Sequence, residues 1–222
     1  MSDSSRFITG RLTAPDFALP EWAQGHLYVG LRQREPDPAG TLLSLPMTGA
    51  NGTFQIPADD MGKDTVALVA VGWGEALNPV LANFFLPEDR AAQDSLDLGW
   101  DGSVTVIGYV EQMHWQQVGE LPLAVMELVG YAVPPTYRRL PPLPLPAIGD
   151  RHGLHTDHPD NVTEQVYYLL TDAESPLAAA AQDALVSSLR VVCTASLGTQ
   201  EARWYEIVNL PLVLDALTLI GP

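Results

Sequence analysis

Three of the chain's five histidines fall within seven residues, in the segment Gly149-Asp150-Arg151-His152-Gly153-Leu154-His155-Thr156-Asp157-His158-Pro159-Asp160-Asn161. Imidazole nitrogen and carboxylate oxygen together suit a borderline divalent transition metal such as zinc. His152, His155, Asp157 and His158 are spaced so that a loop punctuated by Gly and Pro can wrap one ion. The same residues equally make a solvated polar loop in which water satisfies every group. A metal-dependent hydrolase at this place would need, beyond the ligands, an open coordination position and a shaped pocket.

A second segment with chemistry to offer lies just upstream. Six prolines fall between Pro134 and Pro146, and proline holds φ near the polyproline II value, so this stretch is expected to be extended and stiff. Within it Arg138, Leu140, Pro141, Leu143 and Pro144 fit the basic-plus-PxxP pattern that aromatic grooves of partner proteins read. A rigid connector packed along its own domain would have the same composition.

Other reactive groups read as structural. Cys193 sits in an apolar run, VVCTASL, where a lone thiol behaves as a small hydrophobe. Asp59-Asp60 and Glu88-Asp89 are adjacent pairs, which a strand would point to opposite faces, so neither makes an acid/base couple. His114 and Trp115 are expected just past a strand end, as core or rim residues. There is no Walker loop, no GxGxxG, no GxSxG and no His-Glu-x-x-His.

These groups must be carried by elements, and the composition bounds what those are. The chain has 222 residues, 46% hydrophobic and 17% charged, which is globular composition. Its 27 Asp+Glu face 11 Lys+Arg for a net charge of −16, and the single lysine is Lys63. The deficit is spread over both halves, −9 for residues 1–111 and −7 for 112–222. Without a basic face there is no counterion release to drive phosphate-backbone binding. One cysteine cannot make an internal disulfide, no signal-like leader opens the chain, and no apolar run approaches ~18 residues. The expectation is a cytoplasmic protein with neither a nucleic-acid nor a membrane partner.

From Phe7 to about Leu98, short β-favouring runs alternate with turn clusters: FITGRLTA, HLYVGLRQ, TLLSLPM, GTFQIP, TVALVAVGW and PVLANFFL. Leu27, Val29 and Leu31 share one face of their run, and Gly49-Ala50-Asn51-Gly52 offers the positive φ of a tight hairpin leading into Phe54. After Val104 come two further strand-like runs, the Pro/His segment, then QVYYLLT, a helix, and two more strands. Ser175 is a good N-cap with Pro176 at the first helical position, and Leu177, Ala180, Ala181, Ala184 and Leu185 recur at helical spacing, which predicts a helix over 176–188.

The order ITGRLTA, LYVGLRQ, TGANGTFQI, TVALVAVGWG resembles the transthyretin-like or carboxypeptidase-regulatory-like β-sandwich over residues 6–100. That family is used mainly as a binding or spacer module. Its hydroxyisourate-hydrolase branch has a Tyr-Arg-Gly-Ser ending that does not occur here, so hydrolase activity is not implied. The later order of three strands, helix and two strands resembles an OB-fold barrel, with an insertion of about thirty residues between its second and third strands. Leu154-His155-Thr156-Asp157-His158 is similar to part of the metallo-β-lactamase signature, but Gly153 stands at its first histidine and no histidine follows His158.

The expected fold is therefore mainly β: a sandwich over 1–103, then an OB-like barrel, or a small α+β domain, over 104–222, with one helix and a Pro/His-rich insertion at 134–161. The expected function is a non-enzymatic binding or assembly module for a protein or glycan partner, self-association included. The alternative is a metal-binding protein or metal-dependent hydrolase using the 152–158 cluster. Aromatic stacking on Tyr167, Tyr168, Trp204 or Tyr205 is worth ~1–3 kcal/mol per base, and the missing electrostatic contribution outweighs it. Labelled single-stranded DNA should accordingly show no anisotropy change at physiological salt; a micromolar, salt-sensitive isotherm would contradict the charge argument.

Overall fold

The computed structural model describes residues 6–24, 27–33, 43–46, 51–57, 65–73, 76–85, 95–118, 120–133, 165–198, 202–204, 207–209 and 212–220. The chain divides into two compact units, with the boundary between Gly102 and Ser103. It is mainly β, with one α-helix among the described residues.

The first unit holds two sheets. In one, β1 (Phe7–Thr13) lies between β4 (Thr53–Pro57), antiparallel to it, and β7 (Ser95–Trp100), parallel to it. Alternation along β1 buries Ile8 and Leu12, and these share the inner side with Phe54, Leu96 and Trp100. Phe17 meets the Trp100 ring edge-on at 6.2 Å. The turn into β4 is built on Asn51-Gly52: Gly52 has φ +60°, which glycine adopts without strain, and the Thr53 hydroxyl donates to Asn51 Oδ1 at 2.8 Å. The other sheet runs β3 (Leu43–Pro46), β2 (Leu27–Gln33), β5 (Thr65–Trp73), β6 (Ala76–Phe85), all antiparallel, and buries Leu27, Val29, Leu81 and Ala82.

The second unit is a closed five-stranded barrel. Its strands are β8 (Ser103–Val118), β9 (Leu121–Ala132), β10 (Gln165–Asp172), β11 (Arg190–Leu197) and β14 (Leu212–Ile220), in the spatial order β10-β14-β11-β8-β9. Between β11 and β14 the short strands β12 (Ala202–Trp204) and β13 (Ile207–Asn209) pair with each other. Only the β10–β14 contact is parallel. β8 is long enough to serve two neighbours: Ser103–Tyr109 ladder to β11, and Val106–Val118 ladder to β9. A bulge at Glu111, between Val110 and Gln112, shifts the β8–β9 register and bends the strand, as closure requires.

Gly108 and Gly130 stand directly opposite one another across that ladder. A Cβ on Gly108 would collide with the Val129 carbonyl, and one on Gly130 with the Ile107 carbonyl, so this close crossing excludes every other residue type. Inside the barrel, alternate residues from all five strands fill the space, among them Val106, Met126, Leu128, Tyr167, Leu169 and Cys193, each essentially solvent-free.

The helix α1 (Pro176–Ser187) connects β10 to β11. Ser175 Oγ accepts the Ala178 N–H at 3.1 Å, and the helix ends at Ser188, whose left-handed φ of +54° lets its N–H and that of Leu189 close onto the last turn. The buried face is Ala178, Ala181 and Ala184, packed against β8, β14 and β10. This differs by one position from the expected stripe, since Leu177, Ala180 and Leu185 are only half-buried. Alanine wins at the contact because its small side chain lets a helix approach strands closely.

Two substitutions separate these contributions. Ser175→Ala should cost about 1 kcal/mol by loss of the cap. Gly130→Ala should cost about 1–3 kcal/mol or more, because neither carbonyl nor backbone at the crossing can yield cheaply. Urea unfolding of both variants checks the order; a Gly130→Ala protein as stable as wild type would contradict the crossing.

Candidate functional site

The side-chain alternation that fills the barrel interior also dictates what faces outward. On β10, Tyr167 and Leu169 point inward and are 1% and 0% exposed, so Val166, Tyr168 and Leu170 make up the outward set. In register beside them on β9 stand Val129, Glu127 and Val125. On β14, Val213 stands beside Leu170. Val166 is 39% and Val213 40% exposed, while Val129, Tyr168 and Leu170 are half-buried. The result is an apolar row running along β10, flanked by Val129 on β9 and Val213 on β14, with Val125 beside Leu170 already covered at 3% exposed.

Carboxylates border that row. Glu127 lies beside Tyr168, and its carboxylate is 3.4 Å from His114 Nε2 on β8. Asp172 ends β10, where its Oδ1 accepts the Glu174 N–H at 2.8 Å. Asp215, at the β14 irregularity, is exposed and accepts a hydrogen bond from the Ser196 hydroxyl at 3.3 Å. Partial burial first, and the Glu127 charge second, raise the Tyr168 hydroxyl above its ordinary pKa, so it stays neutral at physiological pH. Among the described side chains of this unit the one arginine is Arg190, 2% exposed, with its guanidinium 5.5 Å from the Tyr109 ring centroid. No cation of that set borders the row.

A second outward group is already covered. Tyr109 and Tyr131 occupy outward positions of β8 and β9 yet are only 6% and 4% exposed, packed with Ile107 and Val133. They are structural aromatics rather than stacking platforms.

The expected metal ligands His152, His155, Asp157 and His158 lie outside the described residues, as do Arg138, Leu140, Pro141, Leu143 and Pro144. Among the described residues no group of three or more His, Cys, Asp or Glu side chains is placed to hold a metal ion. His114 and Trp115 do not follow a strand end. Both lie inside β8, which runs on through the bulge to Val118, and Trp115 is 56% exposed. The outward row had a sequence signal in QVYYLLT: one alternating set, Val166, Tyr168 and Leu170, is wholly apolar or aromatic, although the other already supplies Tyr167 and Leu169 to the interior. A strand wetted on one side carries polar residues on its outer set.

No protein-family model, curated protein or solved structure matches this chain. No described helix is long and apolar enough to cross a membrane, which says nothing of strands.

Cys193 is inside the barrel, where burial pushes its thiol from 9.0 up to about 12. Burial likewise raises the Tyr167 hydroxyl, with a hydrogen bond to the Ala132 backbone opposing it. Both groups fold in their protonated form, so their contribution is complete below the unfolded-state values and is lost as pH rises. For Cys193 the window runs from about 9 to about 12. Native protein should therefore resist a thiol reagent at pH 8, and its melting temperature should fall through that window, less steeply in Cys193→Ala. Rapid stoichiometric labelling at pH 8 would contradict the placement.

Proposed function

We propose that this protein is a non-enzymatic binding or assembly module that recognises a partner through the surfaces of its β-rich units. The observation that carries the reading is the apolar row Val166, Tyr168, Leu170 and Val213 on the outside of a closed barrel. A barrel interior is satisfied by its inward set, so an outward apolar row adds nothing to closure and exposes surface that association would bury. The row's aliphatic character favours a protein over a glycan partner.

The proposed module types are a transthyretin-like sandwich followed by an OB-like barrel. The first is supported by two sheets in one unit, β4-β1-β7 and β3-β2-β5-β6. The second is supported by five closed strands with the helix between the third and the fourth. Both families serve widely as recognition platforms, and that link from fold to function is analogy.

The test compares the immobilised wild-type chain with a Val166→Ser/Val213→Ser variant of matched circular dichroism and melting temperature. Exposed to extract of the cells that make it, the wild type should retain proteins that the variant loses, or self-associate in light scattering where the variant is monomeric. Identical retained sets and identical mass on both would overturn the reading.

A further inference from the structure

Resting on that reading, we propose that the outward row of β10 and β14 docks a cationic, aliphatic segment of a partner protein in extended form. The geometry sets the first half of this. Val166, Tyr168 and Leu170 repeat every second residue along one strand, a spacing of about 6.4–6.8 Å, which is the spacing of alternate side chains in an extended peptide. Val213 and Val129 widen the row to either side, so a peptide lying along β10 meets apolar groups across its width.

Charge sets the other half. Glu127, Asp172 and Asp215 stand around the row on three strands, and His114 is the sole titratable base shown against any of them. A segment that places alternate aliphatic side chains on the row, with the long Lys or Arg stems between them reaching back around the backbone to the flanking carboxylates, satisfies both features at once. A second copy of this chain is a poor occupant. A two-fold pairing of the row brings the same carboxylates against each other, and the chain has 11 Lys+Arg against 27 Asp+Glu with which to answer them. Anionic lipid and nucleic acid meet the same repulsion.

The experiment uses the full chain and four labelled peptides read by fluorescence anisotropy: alternating valine–lysine, valine–glutamate, valine–serine and lysine–serine. Valine–lysine should bind, at least about tenfold tighter than lysine–serine, a difference of about 1.4 kcal/mol. Valine–glutamate should not bind. Val166→Ser/Val213→Ser should abolish the valine–lysine signal, and Glu127→Gln/Asp215→Asn should weaken it several-fold and flatten its salt dependence. The second variant leaves the apolar surface intact, so it reads the charge argument even where the first is poorly folded.

Equal binding of valine–lysine and lysine–serine, unaffected by Val166→Ser/Val213→Ser, would overturn the proposal by reducing it to general attraction toward an acidic chain. Binding of valine–serine or valine–glutamate at least as tight as valine–lysine, and lost in Val166→Ser/Val213→Ser, would overturn the cationic partner while leaving the binding module standing. Silence from all four peptides would also overturn it. The extract comparison then decides the broader reading separately.

Discussion

Where β8 passes β9, the Gly108 and Gly130 backbones face each other with no room between them for a Cβ. A five-stranded sheet closes only if its strands coil tightly, and this crossing, with the Glu111 bulge a few residues on, is where β8 turns from its partner β11 toward the far end of β9. Closure removes the unpaired edges that an open sheet would present. It also makes the inward and outward sets unambiguous, because a slip of one residue would drive Glu127 and Asp172 into the interior in place of Leu128 and Thr171. The apolar row on β10 is a consequence of that enforced register, held on a rigid frame rather than on a loop.

The acidic balance fits the same picture. At −16 the chain carries like charge that opposes the close approach of its own copies, which lowers the tendency of an exposed aliphatic row to aggregate. Arg190, the one arginine among the described side chains of the barrel unit, is withdrawn beneath the surface against Tyr109, whereas Glu127, Asp172 and Asp215 stand around the row. Apolar contact would supply affinity, and the carboxylates would supply discrimination and a faster encounter with a cationic partner.

Local signals carried much of the architecture. Ser175-Pro176 marked the helix start because capping is a property of two or three adjacent residues, and Asn51-Gly52 marked its turn for the same reason. The opposite orientations of Tyr167 and Tyr168 follow from strand alternation alone, as does the burial of Cys193 in an apolar run. What was not legible depended on partners distant in sequence. The extension of β8 through His114 and Trp115 requires β9 opposite it, and the choice of Ala178, Ala181 and Ala184 over Leu177 and Leu185 is set by the strands the helix meets. The site followed the same division: both alternating sets of QVYYLLT carry large apolar or aromatic residues, but only the barrel determines which one faces water and brings Val213 beside it.

The central claim is that a partner seats on the outward row while the barrel beneath it stays unchanged. Methyl NMR of the full chain, with Val and Leu methyls assigned and the alternating valine–lysine peptide titrated in, reads this directly. Saturable shifts are expected at Val166, Leu170 and Val213, with the interior methyls of Leu128 and Val191 unmoved. Shifts centred on other surfaces, or spread through the barrel interior, would contradict it.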